Sequence, residues 1–280
     1  MGSSEMDTVN SMNRRNAVVG LSQALTAGVM GLHPGVGFTA TQGPSLLRLC
    51  FEQADVRPWR TREGTGLNFS LINAVAINVG VRVEYVPLPW KRCLAELKSN
   101  AVDGAIGASF KSDRLEMGAY PGGKTPDASK RLYVERYVLV RRKFSAIQWN
   151  GRAFSHVDGP VGTQLGYSIG EQLLSMDVLV DDGSSSIAEL LQKLMAGRVS
   201  AAAVLGNELR YWMRQEPKLA DKLEVLPQPL VEKPYFLMFS HRLVETSPAL
   251  ANEFWNSVEQ QRKAAPYRLI EAQALEGIAP

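Results

Sequence analysis

Between Leu46 and Ala108 the chain alternates short apolar strands with helices, and the links between them are brief. LLRLCF (46–51) reads as a strand. LNFSLINAVAINVG sets Leu67, Leu71, Ile72, Val75 and Ile77 at a helical spacing, with Gly80 as the stop. VRVEYVPL alternates as a second strand. KRCLAELKSN is a short amphipathic helix with Cys93, Leu94 and Leu97 inward, and VDGAIGA is a third strand. Strands separated by helices on short links have to pair in parallel through right-handed crossovers, which places the chain in the α/β class.

The same grammar returns after Tyr137. YVLVRRK, GPVGTQLG, DVLVDD and VSAAAVLG read as strands, and YSIGEQLLSM, SSSIAELLQKLMAGR and NELRYWMRQEP as helices. LEVLP and YFLMFSH are further strands, and two helical stretches close the chain. The pattern predicts two lobes, 45–135 with 236–280 and 136–235, each a mostly parallel sheet flanked by helices. Two hinge crossings between them fall near Val134–Tyr137 and Lys233–Phe236.

Composition narrows the function. The 280 residues are 45% hydrophobic and 21% charged, with a net charge of +3 and no lysine or arginine blocks, so nucleic acid is not the expected partner. Two cysteines without ligand spacing and three scattered histidines give no metal or cofactor site. From Met12 the text runs through Arg14 and Arg15 into an apolar stretch and then small residues, the order of a secretory signal. Residues 1–40 are therefore expected to be a targeting segment, removed near Ala40, leaving a monomer in the periplasm. Cys50 ends one strand and Cys93 lies one turn into a helix of the same lobe. The two can meet, and export favours their oxidation to a disulfide.

Ligands of open parallel sheets sit at the carboxyl ends of the strands. Those ends carry Glu52 and Trp59, Trp90, Ser109 and Arg114, Tyr167 and Ser168, and Leu205 with Asn207. Serine and arginine after a strand of small residues present donors to an anion. Enzymatic chemistry would need an acid or base in reach. Glu52, Glu116 and Glu208 are the only carboxylates near these edges suited to that role, and no paired carboxylates or nucleophile–base set is evident, so catalysis is not expected.

The run PWKRCLAELKSNAVDGAIGASFKSDR, the Tyr120-Pro121 close, GPVGTQLGYS, LLQKLMAGRVSAAAV and the PYFLMFSH…PYRLI tail together resemble the bacterial extracellular solute-binding proteins of family 3, the polar amino-acid type that serves ABC importers. The resemblance covers Leu46 to the C-terminus. It implies a periplasmic-binding-protein-like fold of type II whose lobes close on a small solute, and a membrane permease as partner. It also implies that Arg114 clamps a carboxylate with Ser109, that the turn Gly166-Tyr167-Ser168 donates to the same group, and that Trp90 forms a wall, with Trp59 a second wall candidate. One departure stands out. The acid that holds a ligand's ammonium in the family falls at Leu205, with Asn207 two residues on. Either Glu52 or Glu208 replaces it, or the ligand is not an ordinary α-amino acid. A dehydratase-like periplasmic enzyme and a ligand-presenting sensor are the alternatives on the same scaffold.

Overall fold

The computed structural model describes residues 46–276, so the targeting segment expected over 1–40 lies outside the described residues. β1 (Leu46–Glu52), α1 (Leu67–Val79), β2 (Arg82–Leu88), α2 (Trp90–Lys98) and β3 (Gly104–Ser109) form the first run. β4 (Tyr133–Arg142) leads into a small hairpin, β5 (Gln148–Trp149) and β6 (Phe154–Ser155). The second run is β7 (Val161–Gln164), α3 (Ile169–Leu174), β8 (Val180–Ser184), α4 (Ile187–Met195), β9 (Ala201–Leu205), α5 (Gly206–Gln215) and α6 (Pro217–Ala220). β10 (Leu223–Val225) and β11 (Val231–Phe239) return the chain to α7 (His241–Thr246), α8 (Pro248–Lys263) and α9 (Ala265–Glu276).

The strands join in the order β2-β1-β3-β11-β4-β9-β7-β8, with β10 on β4. β1 pairs in parallel with β2 and β3, and β7 does so with β8 and β9, as the short crossovers require. The two parallel halves are joined by antiparallel strands. The second half of β11 lies on β3, its first half lies on the start of β4, and the rest of β4 lies on β9. β4 and β11 are thus the two crossings between lobes, paired through Tyr133–Tyr137 and Val231–Tyr235.

Local chemistry explains the elements and the departures from the sequence reading. α1 ends where Gly80 turns left-handed (φ 78°) and its N–H reaches the Ala76 and Ile77 carbonyls. Leu67, Leu71, Ile72 and Val75 are buried as expected, but Ile77 is 81% exposed. Five residues past Ile72 is about 140° around a helix, which takes Ile77 off the apolar stripe. α2 buries Trp90, Cys93, Leu94 and Leu97, and each leucine contributes about 1.5–3 kcal/mol when fully buried. The Cys50–Cys93 disulfide is formed, with the Cα atoms 5.6 Å apart. β3 is buried throughout, and Gly104 has no room for a side chain: a Cβ there would sit 2.8 Å from Leu49 Cδ2 and the Met238 carbonyl.

β11 starts earlier than its apolar text, because Val231 to Pro234 pair with β4 although Pro234 has no N–H to give. β8 starts three residues later than DVLVDD and ends two later, set by its register on β7 from Val161 opposite Val180. The segment around Trp149 holds the β5–β6 hairpin. The long link before β4 is a strap on α8: Arg262 donates to the Ser129 and Arg131 carbonyls at 2.8 and 2.9 Å. No helix among the described residues is long and apolar enough to cross a membrane.

Candidate functional site

The end of β3 opens on a buried cavity of about 20 Å³, room for about one water. Residues from both lobes line it. Arg114 comes from a short 3-10 turn after β3, Ser112–Glu116, and is 3% exposed. Its Nη1 donates to the Ser109 carbonyl at 2.7 Å and to Ser109 Oγ at 3.1 Å. Its Nη2 donates across the cleft to the Gly166 carbonyl at 3.0 Å. The indole of Trp90 lies beside the guanidinium, 5.4 Å from ring centre to Cζ, close enough for a cation–π contact. Tyr120 donates its hydroxyl to the Ser109 carbonyl at 2.6 Å, which gives the Tyr120-Pro121 close a structural reason.

The second lobe meets this edge through Ser168. Ser109 Oγ donates to Ser168 Oγ at 2.8 Å. Lys233, on the crossing strand β11, reaches Ser168 Oγ at 3.2 Å and its carbonyl at 3.3 Å. Burial pushes the Lys233 ammonium down to about 8, and the nearby Arg114 charge adds to the effect. α3 has only six residues and the Ser168 side chain does not cap it, so a helix dipole contributes little at this turn. Tyr167 turns the other way. Its hydroxyl accepts from Arg60 Nη2 at 3.3 Å, and burial raises its pKa well above the ordinary value.

Arg60 also lines the cavity and is 4% exposed. Burial works against its charge, yet Tyr167, Tyr133, Glu52 and Glu208 together hold its pKa above the ordinary value. Its Nε has no hydrogen-bond partner. Gly107, at φ 81°, makes space beside it: a Cβ there would lie 3.5 Å from Arg60 Nη1. Tyr137 and Tyr235 from the two crossing strands complete the wall with Leu205.

Six of the eight ligand positions named from the sequence therefore reach the cleft or its rim, in different ways. Arg114, Ser109, Trp90 and Tyr167 line the cavity, and Ser168 joins it through Ser109. Glu52 stays at the rim as a cap, its two oxygens accepting from the Trp90 and Ala54 N–H groups at 2.9 and 3.0 Å. The other two lie behind it. Trp59 is stacked on Tyr133 at 4.1 Å, Tyr133 in turn on Tyr235 at 4.8 Å, so only the last ring faces the cavity. Asn207 bonds to the buried Glu135 carboxylate, which also accepts from Trp59 Nε1 at 2.8 Å. Glu208 is buried behind Gln164, whose Nε2 donates to it at 3.4 Å. Burial pushes Glu208 up to about 8, so it is largely protonated at neutral pH.

Sequence reasoning missed Arg60, Gly107, Tyr137, Lys233 and Tyr235. Arg60 carried a signal, since it directly follows the Pro58-Trp59 pair at a strand's carboxyl end. Tyr137, Lys233 and Tyr235 lie on strands whose cleft-facing side depends on pairing across the lobes, and Gly107 sits at a register break between β3 and β11 that local text does not show.

The sequence model of the bacterial extracellular solute-binding proteins, family 3, matches residues 53–263. No curated protein matches the chain. Among the solved structures that are similar in fold are three at low identity. The substrate-binding protein of an amino acid ABC transporter aligns at 15% identity and TM-score 0.64, over 82% of this chain and 99% of its own. A histidine kinase sensor domain with similarity to periplasmic binding proteins aligns at 20% and 0.65, over 82% and 96%. An ancestral amino acid-binding protein, a precursor of cyclohexadienyl dehydratase, aligns at 20% and 0.61, over 82% and 95%. With the family model spanning most of the chain and both lobes meeting at one buried cleft, this chain belongs to the bacterial extracellular solute-binding proteins, family 3.

Proposed function

We propose that the protein captures a small, carboxylate-bearing solute, an amino acid or related metabolite, between lobes 45–135 with 236–280 and 136–235, and delivers it to the permease of an ABC importer after export to the periplasm. The observation that carries this reading is Arg114. Its guanidinium is buried, bridges the two lobes through the Ser109 and Gly166 carbonyls, and forms no ion pair among the described residues. A guanidinium offers a planar, two-pronged grip on a carboxylate, and charge-assisted bonds of this kind contribute about 1.5–3 kcal/mol each. Ser109 and Ser168 supply further donors beside it, and Trp90 is the wall. Closure brings both lobes onto one carboxylate, and that is how occupancy changes the shape presented to a permease. A thermal-shift screen of amino acids and small carboxylates tests the reading. Carboxylates are expected to raise the melting temperature and uncharged analogues are not. Turnover of a stabilising compound would instead favour an enzyme on this scaffold.

A further inference from the structure

The lining of the cleft is charged on one side only. Arg60 and Arg114 both face a cavity of about 20 Å³, and Lys233 stands behind Ser168. None of the three has a carboxylate within ion-pair distance among the described residues. Two cations around so small a space repel one another, and the acids that support the Arg60 charge, Glu52 and Glu208, lie beyond ion-pair distance. Arg60 is 96% buried by its 4% exposure, and its Nε is aimed at no partner.

Among the described residues no carboxylate to balance an ammonium lines the same cavity, whose other polar groups are hydroxyls of Ser109, Tyr137, Tyr167 and Tyr235. Leu205 occupies the position at the end of β9. Glu52 spends both oxygens on backbone N–H groups. Glu135 is saturated by Trp59 and by the Arg136 N–H at 2.9 Å. Glu208 gives one oxygen to Gln164, and its second, which has no partner, does not line the cavity. An α-ammonium placed here would meet two guanidinium groups, an isobutyl side chain and neutral hydroxyls and rings, with no carboxylate to balance its charge.

Resting on the reading of Arg114 as a carboxylate clamp, we infer that the ligand is a compact dicarboxylate without an α-ammonium group. Arg114, with Ser109 and Ser168, grips one carboxylate, and Arg60 grips the other in the space that Gly107 leaves open. The contacts Arg114–Gly166, Ser109–Ser168 and Arg60–Tyr167 now close that space directly between the lobes. The ligand takes their place, and the 166–168 turn moves outward to admit it.

The test is calorimetric titration of the purified protein with malonate, succinate and 2-oxoglutarate. Acetate and propionate serve as single-carboxylate probes, L-aspartate and L-glutamate as ammonium-bearing matches, and sulfate as a single-centre dianion. Dicarboxylates are expected to bind at least tenfold tighter than the monocarboxylates and than the matched amino acids. Arg60→Gln should bring dicarboxylate affinity down to the monocarboxylate level, and Arg60→Lys should keep part of the preference if the glutamine variant does not fold. Preference for an amino acid over its matched dicarboxylate, with Arg114 still required, overturns the inference and leaves the clamp standing. Sulfate binding tighter than every dicarboxylate overturns it as well. Binding of no carboxylate at all overturns the inference and the clamp together.

Discussion

Reduction of the Cys50–Cys93 disulfide should loosen the lobe that carries Trp90 and Arg114. The bridge closes a loop across 43 residues and ties the end of β1 to the first turn of α2. Restricting such a loop in the unfolded chain is worth about 4 kcal/mol in the chain-entropy treatment. For a domain of this length, each kcal/mol moves the melting temperature by about 2–4 °C, so reduction should lower it by roughly 8–16 °C. Urea unfolding of the wild-type protein with and without reductant isolates the link from packing, because both sulfur atoms stay in the core. The midpoint should fall with little change of the native-state slope. The effect should also reach the site: Glu52 at the end of β1 holds the Trp90 N–H at 2.9 Å, so the reduced protein should bind its ligand several-fold more weakly. A stability change under about 1 kcal/mol would refute the reasoning, since it would mean that the strand–helix contact is fixed without the bridge.

Two further outcomes follow from groups at and behind the cleft. Glu208 is raised to about 8 by burial, so the native state binds more protons than the unfolded one between the ordinary carboxyl range and pH 8. Stability from this group is full at low pH and falls as pH rises through that window. Glu208→Gln should match the wild type near pH 4 and exceed it by a few kcal/mol at pH 8 in denaturant titrations, and parallel curves would contradict the account. Leu205→Asp places a carboxylate in the cavity lining beside the two arginines, so a thermal-shift screen should show α-amino acids gaining at least tenfold over matched dicarboxylates. An unchanged order would mean that Leu205 does not set the preference.

Much of the fold could be read from local text because parallel strand–helix units repeat on short links, and the apolar stripes of α1, α2 and α4 announce themselves. Ser109 and Arg114 were legible for the same reason: a strand of small residues followed by a serine and an arginine is a local pattern. The rest of the site was not local. Tyr137, Lys233 and Tyr235 face the cleft only because β4 and β11 pair across the lobes, nearly 100 residues apart in sequence. Trp59 looked like a wall and proved to be the base of a ring stack, since Tyr133 and Tyr235 lie between it and the cavity. Glu52 looked available at a strand end, but the first turn of α2 has free N–H groups to satisfy, and that demand claims it. Asn207 was drawn to the buried carboxylate of Glu135 by the same rule of satisfying buried polar groups.

The central claim is that Arg114 grips the ligand's carboxylate between the lobes. Calorimetric titration of Arg114→Gln against the wild type, with the tightest-binding carboxylate from the screen, tests it most directly. Two charge-assisted bonds of about 1.5–3 kcal/mol each imply a loss of affinity of at least a hundredfold, with the glutamine variant still folded by circular dichroism. A folded Arg114→Gln protein that binds the same carboxylate with wild-type affinity would contradict it.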